Sequence, residues 1–296
     1  MLVSIYMPTK NRLDLLKKAV DSVLKQTYSN FELVVVDDAS TDGTLAYLET
    51  VVAQDSRVQF LSNKVSYGAC HSRNLAIMAA KGDYVTGLDD DDEFKENHIS
   101  SLLNFWILLS THSKEKISCV YPQTIDKSDN TFSVTGKRNR VDYIDLFERN
   151  YIGNQIFAPR SHFMEAGLFD EKMPAWQDLE FFFRVLKKFG PAKLLDIPTY
   201  IFDKSPRADR ISVGQKNKIL LACDRMTLLH AGESVELKQL LMLQVYSSYY
   251  GFSITLKDFV FFMRKGFLLN GYLLMLSMFV KFNLSKWVNY FKLNYR

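Results

Sequence analysis

Short apolar runs alternate with amphipathic segments over the first third of the chain. Four runs are candidates for buried strands: residues 3–7, 31–36, 58–61 and 84–88. Between them, apolar residues recur at helical spacing in three segments: residues 13–24, 44–52 and 70–80. A strand followed by a helix and then by another strand is the repeating unit of parallel sheets. The pattern therefore predicts an α/β fold, with a Rossmann-like, mostly parallel sheet flanked by helices.

This regular alternation weakens after residue 95. We predict a short strand at residues 118–121, loops over residues 126–139, a helix at residues 178–189 and a pair of strands within residues 192–202. From residue 215 onward the pattern is helical and strand signals are absent. We therefore predict a catalytic domain over residues 1–214, with halves of about 1–95 and 96–214, and a helical region over residues 215–296.

Composition narrows the class of protein. The chain has 296 residues, of which 47% are hydrophobic, which is enough for a buried core. Its formal net charge of +4 is too small to favour nucleic acid as the main partner. The three cysteines include no C-x-x-C pair, which argues against a disulfide framework or a thiolate zinc site. The first residues lack the features of a signal peptide, so we expect a cytoplasmic protein.

Polar residues follow three of the predicted strands. The first strand leads into Pro8-Thr9-Lys10-Asn11-Arg12, the second into Asp37-Asp38, and the fourth into Asp89, Asp90, Asp91 and Asp92, hereafter the acidic run. Ligands of open parallel sheets bind beyond the carboxyl ends of the strands, so we expect these residues to meet at one edge. The sequence has neither G-x-G-x-x-G nor the phosphate-binding loop G-x-x-x-x-G-K-[ST]. A nucleotide at this edge would be held by carboxylates and a metal ion rather than by a glycine-rich loop.

The acidic run has two interpretations. Four consecutive carboxylates repel one another unless a cation is present. Oxygen ligands suit Mg²⁺ or Mn²⁺, and such an ion can bridge to phosphate oxygens. The alternative is a solvated acidic turn or a helix N-terminus, where Asp is common. The position after a buried strand, facing Asp37-Asp38, favours the metal site.

Three further positions have both a functional and a structural interpretation. One carboxylate of Asp37-Asp38 can bind the N–H of a base or cap the following helix. Arg73, at a predicted loop-to-helix transition, can bind phosphate or form a structural ion pair. Asp178, at the start of a predicted helix, can be a general base or an N-cap. The five histidines stand at no metal-ligand spacing, and we treat them as structural or surface residues.

The ordered set of motifs resembles glycosyltransferase family 2, whose catalytic domain has the GT-A fold. The matching pieces, in chain order, are Pro8-Thr9-Lys10-Asn11-Arg12, Val34-Val35-Val36-Asp37-Asp38-Ala39-Ser40-Thr41-Asp42-Gly43-Thr44, Ser72-Arg73-Asn74, Lys81-Gly82-Asp83-Tyr84-Val85, Leu88 with the acidic run, and Gln177-Asp178-Leu179-Glu180. Each piece is weak alone, but their order and spacing over residues 1–211 are specific. The resemblance extends to bacterial enzymes of O-antigen and capsule assembly.

The resemblance implies how a UDP-sugar would be bound. Asp38, or else Asp37, would hold the uracil ring, and Arg73 would help to bind the nucleotide. The other nucleotide-binding residues that we expect at this edge of the sheet are Pro8, Thr9, Asn11, Arg12, Asp89 and Asp90.

The resemblance also implies the metal ligands and the base. Asp89 and Asp91 would supply the D-x-D function of the family, and we expect Asp91 and Asp92 to contact Mn²⁺ or Mg²⁺. Asp178 would be the general base of a single in-line displacement at the anomeric carbon, with inversion. In this reaction no covalent intermediate is needed, because base and leaving group lie on opposite faces of the sugar.

Three further sets of residues need separate comment. The family often has Glu-Asp where this chain has Gln177-Asp178, which keeps the base but changes its neighbour. Arg207 and Arg210 stand where the family has a mobile lid over the diphosphate, although an ordinary solvent loop fits the same sequence. We also assign Trp176 and Glu180, on either side of Asp178, to the acceptor site.

The last segment mixes apolar and aromatic residues with basic ones. After residue 255 it has one acidic residue, Asp258, and seven basic ones: Lys257, Arg264, Lys265, Lys281, Lys286, Lys292 and Arg296. The apolar stretch at 266–280 is shorter than the roughly 20 residues of a membrane span. We therefore predict interfacial helices that hold the protein on the inner face of the cell membrane, and a lipid-linked saccharide acceptor such as an undecaprenyl diphosphate sugar. The alternatives are a helical subdomain that packs on the catalytic domain, or a homodimer interface.

The leading hypothesis is thus an inverting transferase that uses UDP-glucose or UDP-galactose. A sugar nucleotidyltransferase also combines a parallel sheet with carboxylates, but it would need a glycine-rich basic loop where residues 8–12 stand. A non-catalytic nucleotide- or carbohydrate-binding subunit would be expected to lack Asp178 or the acidic run, and both are present.

Overall fold

The computed structural model describes residues 1–112, 115–128, 131–205, 215–247, 249–266 and 268–294, the last of these by backbone alone beyond residue 281. The chain divides into two compact units. The first, called the sheet unit, comprises Met1–Tyr143, Tyr151–Lys172 and Gln177–Arg207. The second, called the helical unit, comprises Ile144–Asn150, Met173–Trp176 and Ala208–Arg296.

The four strands predicted for the first third of the chain are present and parallel. They are β1 (Val3–Thr9), β2 (Phe31–Asp37), β3 (Val58–Ser62) and β4 (Tyr84–Gly87). A short strand, β9 (Ala158–Pro159), pairs antiparallel with β4 and completes a sheet of order β3-β2-β1-β4-β9. Thr9 at the end of β1 lies opposite Asp37 at the end of β2. The predicted polar ends of these strands therefore do meet at one edge.

Helices connect these strands as predicted: α1 (Leu13–Leu24), α2 (Thr44–Gln54) and α3 (Ala69–Ala79). Every residue of β1 and β2 is buried. The apolar stripe of α1, including Leu16, Val20 and Val23, packs in the same core as Ile5 and Leu33. Strands covered on both faces need mostly apolar sequences, and this is why β1 and β2 could be predicted from the sequence.

A second sheet contains the longest strands of the sheet unit. Its order is β5-β10-β6-β7, with β5 (Glu93–Phe94), β6 (Cys119–Ser128), β7 (Thr131–Thr135) and β10 (Ala192–Asp203), and β8 (Arg140–Val141) pairs with β10.

Three predictions for this second sheet were wrong. The strand expected at residues 118–121 continues to Ser128, and the expected loop contains β7, an exposed edge strand whose polar alternation lacks a buried apolar run. Residues 192–202 form one strand rather than a pair. Its pairing with β6 shifts register on both sides of Pro198, and this irregularity lets the strand continue past a residue that cannot donate to the ladder.

The other helices of the sheet unit are α4 (His98–His112), α5 (Arg160–Glu165) and α6 (Gln177–Phe189). Helix α6 was predicted one residue shorter. Its expected inner residues, Leu179, Phe182, Phe183 and Leu186, are all buried. A 3₁₀ segment, Tyr143–Phe147, follows β8.

The helical unit contains α7 (Lys216–Met226), α8 (Val235–Val245), α9 (Leu256–Met263) and α10 (Leu269–Asn294), as expected for the C-terminal region. A π-helical turn, Thr227–Ala231, extends α7. Buried Asp258 of α9 accepts hydrogen bonds from Lys216 (2.9 Å) and Tyr246 (2.7 Å). Among the residues that the structure describes, no helix has both the length and the apolar character that crossing a bilayer requires.

Candidate active site

The acidic run starts at Asp89, two positions after Gly87, the last residue of β4, and is hydrogen-bonded to the end of β1. The Thr9 hydroxyl donates to Asp90 Oδ2 at 2.8 Å, and Arg12 Nη1 donates to Asp90 Oδ1 at 3.0 Å. Arg12 also forms an ion pair with Asp91, with 3.6 Å between Nη1 and Oδ2. Two elements that are 78 residues apart in sequence are thus joined by charged hydrogen bonds.

The four carboxylates of the acidic run alternate in burial. Asp90 and Asp92 are buried, at 4% and 1% exposed. The side chains of Asp89 and Asp91 retain 20% and 17% exposure. Asp89 and Asp91 are therefore the members of the run that a metal ion can reach from solvent.

Both side-chain oxygens of the buried Asp92 accept hydrogen bonds. Its Oδ2 accepts from the Tyr200 hydroxyl at 2.6 Å, and its Oδ1 accepts from the Asp203 backbone N–H at 3.0 Å. Burial and the charges of Asp91 and Asp89 raise the pKa of Asp92 well above its usual value, against the lowering effect of these two hydrogen bonds. The sequence offered no signal for Tyr200 or Asp203, because both lie on a strand more than 100 residues away.

Burial also raises the pKa of Asp90, to about 6. The Arg12 guanidinium opposes this effect and Asp91 adds to it. Asp90 thus accepts two hydrogen bonds in a buried setting, which favours a role in fixing the run on β1 over direct contact with a nucleotide.

Asp38 holds the loop between β3 and α3. Its carboxylate accepts from the Asn63 amide at 2.8 Å, the Ser66 hydroxyl at 2.6 Å, and the backbone N–H groups of Tyr67 and Gly68, each at 2.9 Å. Burial raises the pKa of Asp38, but these hydrogen bonds outweigh it and bring the pKa below the usual value. Four donors match the acceptor capacity of one carboxylate. The contacts therefore favour a role in holding this loop over the predicted direct bond to uracil.

Asp37, the alternative uracil ligand, is 1% exposed. It accepts from the Ser40 backbone N–H at 3.2 Å and from the Ser62 hydroxyl at 3.3 Å. These are the contacts of a turn at the start of a helix, which was the structural interpretation of this position.

Asn11 and Pro8 shape the end of β1. Asn11 is in the left-handed region, with φ of 51°, and its side-chain oxygen accepts from the Thr41 backbone N–H at 2.7 Å. Its own backbone N–H donates to the Ser40 hydroxyl at 2.8 Å. Pro8 is buried within β1. Asn11 thus joins the turn after β1 to the turn after β2.

Arg73 lies at the centre of the site, on α3, and is 7% exposed. Its Nη2 donates to Asp89 Oδ1 at 2.9 Å, and its Nη1 donates to Gln177 Oε1 at 3.1 Å. Nη1 is also 3.9 Å from Asp178 Oδ1. Two arms of the guanidinium are thus engaged by protein groups, so its contacts connect the acidic run with the start of α6.

Asp178, the predicted general base, has a raised pKa. It stands in the first turn of α6, where the helix dipole favours negative charge. Burial raises the pKa of Asp178 to about 6, while Arg73 lowers it and Asp89 raises it. A carboxylate with this pKa is ionised at neutral pH yet more basic than an ordinary Asp, as general-base catalysis on a sugar hydroxyl requires.

The donor set at this edge fits a hard divalent cation that shares its ligands with a substrate. Among the described residues, no three acidic, histidine or cysteine side chains are arranged as a metal cluster. Mg²⁺ is commonly held by one or two carboxylates together with phosphate oxygens and water, rather than by a cage of protein groups. The partly exposed Asp89 and Asp91 meet that requirement.

Comparison with known proteins identifies the family. The sequence profile described as Glycosyl transferase family 2 matches residues 4–169 of the chain, and this is more than half of its 296 residues. The chain belongs to glycosyl transferase family 2.

Relatives and solved structures agree with this assignment. This family-2 glycosyltransferase is 38% identical over 195 residues to WcaA of Escherichia coli K12, which is named for colanic acid biosynthesis; the match covers 64% of the chain and 67% of WcaA. It is 37% identical over 155 residues to WfgD of Escherichia coli, named as a UDP-Glc:α-D-GlcNAc-diphosphoundecaprenol β-1,3-glucosyltransferase, and here the match covers 51% of the chain and 57% of WfgD.

A structural neighbour confirms the fold. The crystal structure of S. aureus TarS residues 1–349, determined with UDP-GlcNAc, superposes with a TM-score of 0.65 and 18% identity over 90% of the chain and 79% of TarS. The GT-A fold that the resemblance implied is therefore confirmed for the glycosyltransferase.

The predicted acceptor residues of the glycosyltransferase differ in their surroundings. Glu180 is 1% exposed and forms two hydrogen bonds with Arg184, at 2.8 and 2.6 Å, which favour a structural role. Trp176 is half-buried and in the left-handed region, with φ of 58°, and its indole N–H donates to the Tyr250 hydroxyl at 2.7 Å. A bulky residue in this conformation is a mark of functional sites. Arg207 and Arg210, the predicted lid residues, lie outside the described residues.

Proposed function

We propose that this glycosyltransferase moves a hexose from a UDP-sugar to a saccharide acceptor, with inversion at the anomeric carbon. The observation that carries the proposal is the position of Arg73, which is 2.9 Å from Asp89 and 3.9 Å from Asp178. An in-line displacement needs a leaving diphosphate on one side of the sugar and a base on the other. One guanidinium that contacts both carboxylates brings those two functions within the reach of one sugar ring.

In this mechanism Asp178 accepts the proton of an acceptor hydroxyl as its oxygen attacks the anomeric carbon. The bond between that carbon and the diphosphate oxygen breaks, and the electron pair leaves with UDP. The base acts on the face opposite the leaving group, so the configuration inverts in a single step. Mn²⁺ or Mg²⁺, when bound, neutralises negative charge on the departing diphosphate.

We assign direct metal contact to Asp91, with Asp89 beside it, because these two carboxylates keep solvent access. Asp92 was also predicted as a ligand. Both of its oxygens already accept hydrogen bonds from Tyr200 and Asp203, so in our proposal it supports the run from its buried side.

The nucleotide is proposed to lie along the ends of β1 and β2. Asp38 and its four donors hold the loop after β3 in place for the uracil, and Asp37 supports the turn. We retain Arg207 and Arg210 as proposed ligands of the diphosphate. UDP as the nucleotide is supported by TarS, a neighbour in fold whose structures contain UDP-GlcNAc or UDP.

The acceptor is proposed to be a sugar on an undecaprenyl diphosphate, in the synthesis of a bacterial surface polysaccharide. The relative WfgD is named as an enzyme that transfers glucose from UDP-Glc to GlcNAc-diphosphoundecaprenol. Glucose is therefore the first donor sugar to test, and galactose the second. Trp176, two residues before the base, is our proposed contact for the acceptor sugar.

A lipid-linked acceptor requires the enzyme to reach a membrane surface, and the helical unit has a suitable face. On α9 the exposed apolar residues recur at helical spacing: Leu256 (80% exposed), Val260 (54%) and Met263 (55%). On α10 the same holds for Leu269, Leu273, Leu276 and Val280. Exposed Lys257, Arg264 and Lys281 accompany them. Apolar stripes flanked by basic residues are typical of helices that lie on anionic lipid.

The transfer reaction is tested with purified protein, a panel of nucleotide sugars and a synthetic GlcNAc-diphosphate lipid. Each donor is incubated with Mn²⁺, with Mg²⁺ or with a chelator. We expect UDP release and a glycosylated product from one UDP-hexose when metal is present, and NMR of the product should show inversion. Failure to consume any UDP-sugar under every metal condition would contradict the proposal.

Membrane binding is tested by flotation with vesicles of phosphatidylglycerol or phosphatidylcholine. The double variant Leu273→Gln/Leu276→Gln should lose binding to phosphatidylglycerol vesicles. Leu45→Gln, which changes an exposed leucine of the sheet unit, is the matched control and should float like the unchanged protein. Equal flotation of both variants would rule out this face.

A further inference from the structure

The base of the proposed reaction is not hydrogen-bonded by its nearest cation. Arg73 Nη1 donates to Gln177 Oε1 at 3.1 Å, and the same nitrogen is 3.9 Å from Asp178 Oδ1. Within the described part of the chain, Asp178 Oδ1 has no hydrogen-bond partner although it is buried. The guanidinium is thus close enough to favour the ionised carboxylate without occupying this oxygen.

Three contacts set the position of the guanidinium. Asp89 holds Nη2 at 2.9 Å, Gln177 holds Nη1, and the ring of Phe169 lies 5.4 Å from the guanidinium carbon. A planar guanidinium with both terminal nitrogens held has little freedom to rotate. If Gln177 were lost, Nη1 would be free to turn the short distance toward Asp178.

The side chain at position 177 is neutral, although it precedes the base directly. An amide oxygen accepts a hydrogen bond and carries no net charge, whereas a carboxylate would also attract the positive charge of Arg73. A carboxylate here would also repel the charge on Asp178. The amide of Gln177 therefore positions Arg73 without competing with Asp89 and Asp178 for its positive charge.

We propose that Gln177 is a positioning residue that keeps Arg73 at ion-pair distance from Asp178 but away from hydrogen bonding to it, so that Oδ1 remains available to the acceptor hydroxyl. The inference rests on the proposed function, since it assigns Asp178 as the base. It adds a residue that sets the protonation and availability of that base.

The charged and titratable groups that face Asp178 come from three other elements. Arg73 and Cys70 lie on α3, Tyr6 lies on β1, and Asp89 follows β4. Burial raises the pKa of Cys70 to about 12 and that of Tyr6 well above its usual value, so both are neutral at physiological pH. Arg73 and Asp89 are then the charged neighbours of Asp178, and a change at position 177 alters how strongly Arg73 interacts with each carboxylate.

The experiment compares Gln177→Glu with Gln177→Met. The Glu variant adds a negative charge and competes for Arg73, so the acid limb of the kcat profile should move to higher pH by about half a unit or more. The Met variant removes the acceptor and frees Nη1 to bond Asp178, so the limb should move to lower pH and kcat should fall by about tenfold. The KM for the UDP-sugar should stay within about twofold in both.

Gln54→Glu, the same chemical change at an exposed position of α2, is the control and should leave the profile unchanged. A residue with only a structural role would lower the melting temperature without moving the acid limb in opposite directions in the two variants. Because burial raises the pKa of Asp90 to about 6 as well, the shift between variants is the readout, rather than the absolute midpoint. Identical limbs in Gln177→Glu, Gln177→Met and the unchanged enzyme would overturn the proposal.

A readout without turnover separates this inference from the proposed function. The melting temperature is measured from pH 4 to 8 for the protein and for Asp178→Asn, with and without Gln177→Glu. A carboxyl whose pKa is raised on folding makes the fold less stable as pH rises from its unfolded pKa to its folded pKa, and the loss levels off above the folded pKa. The difference in melting temperature between the protein and Asp178→Asn should therefore reach a plateau near the folded pKa of Asp178, and Gln177→Glu should move the start of that plateau to higher pH. If no sugar is transferred but this shift is seen, the proposed function fails and the positioning role of Gln177 stands; if the start of the plateau does not move, the positioning role fails.

Discussion

The Tyr200 hydroxyl donates a 2.6 Å hydrogen bond to Asp92, a carboxylate 108 residues earlier in the chain. Asp92 is buried, and its other oxygen accepts from the Asp203 backbone. The end of β10, in the second sheet, therefore fixes the buried Asp92 of the acidic run. Thr9 of β1 and Arg12, which follows β1, fix the buried Asp90. The exposed members of the run depend on this buried support for their position.

Replacing Tyr200 by Phe should weaken the fold and the transfer reaction together. The change removes one donor from a buried carboxylate, and an unsatisfied group of this kind costs about 1–3 kcal/mol. Urea unfolding of Tyr200→Phe measures the loss. Tyr249→Phe, at an exposed tyrosine, serves as the control and should unfold like the unchanged protein. Equal stability of the two variants would show that the bond to Asp92 is not important.

Asp178→Asn should abolish transfer while UDP binding survives. An amide cannot accept the proton of the acceptor hydroxyl, and the loss of a general base typically costs about 10² to 10⁴ in rate. The side chain keeps its size, so the affinity for UDP should change by less than about threefold. Initial rates and titration calorimetry with UDP provide the two measurements. Loss of UDP binding in this variant would place Asp178 in the nucleotide site instead.

The rate of transfer should fall on the acid side of neutrality. Asp178 acts in its ionised form, and burial raises its pKa to about 6. As pH falls through that value the carboxylate becomes protonated, so kcat/KM should decline with an apparent midpoint near pH 6. The measurement is kcat/KM from pH 5 to 8 at saturating metal. A rate that is constant down to pH 5 would be inconsistent with an Asp178 base of this pKa.

Asp91→Ala should weaken UDP and metal binding together. The variant removes the carboxylate proposed to link the ion to the diphosphate, so added Mn²⁺ should no longer increase the affinity for UDP. Calorimetry with UDP, with and without Mn²⁺, tests this. Asp14→Ala, at a carboxylate whose side chain is 94% exposed on α1, is the control. A chelator should remove transfer by the unchanged enzyme. Mn²⁺-dependent UDP binding that persists in Asp91→Ala would move the metal site elsewhere.

Gly87→Ala should destabilise the fold next to the acidic run. Gly87 ends β4 just before the acidic run, and a Cβ there would overlap the Tyr6 ring and the amide of Gln155. Those two side chains are joined by a 2.6 Å hydrogen bond, so neither can move freely. Overpacking of this kind costs about 1–3 kcal/mol. Thermal unfolding measures it, with Gly136→Ala as the control, because a Cβ there meets no atom within 4 Å. Similar melting temperatures for both variants would contradict the packing argument.

The first sheet could be predicted because its strands are buried on both faces. Such strands need mostly apolar sequences, and β1 and β2 have them, interrupted within the strand only by Ser4 and by Glu32. The second sheet was harder to read. Strand β7 is an exposed edge strand, and β10 contains Pro198, which usually argues against a single continuous strand. The pattern of apolar residues along a strand reflects which of its residues are buried. Strands that are only partly buried therefore have a weak pattern.

The candidate site was predictable as a set of residues and unpredictable as a set of contacts. The acidic run, Arg73 and Asp178 were identified from their order in the chain, and the structure brings Arg73 close to the other two. Asp38 was expected to bind uracil, yet its carboxylate accepts four hydrogen bonds from residues 63–68. Hydrogen-bond partners come from distant segments, and spacing along the chain does not encode them.

By itself, the sequence determined the family, the parallel sheet and the edge at which the acidic run would lie, because buried strands and ordered motifs are local properties of the chain. Only the tertiary structure decided how the four carboxylates differ. Tyr200 and Thr9 reach Asp92 and Asp90 from other strands and leave Asp89 and Asp91 with solvent access. Four identical side chains in a row acquire different surroundings only when distant segments pack around them.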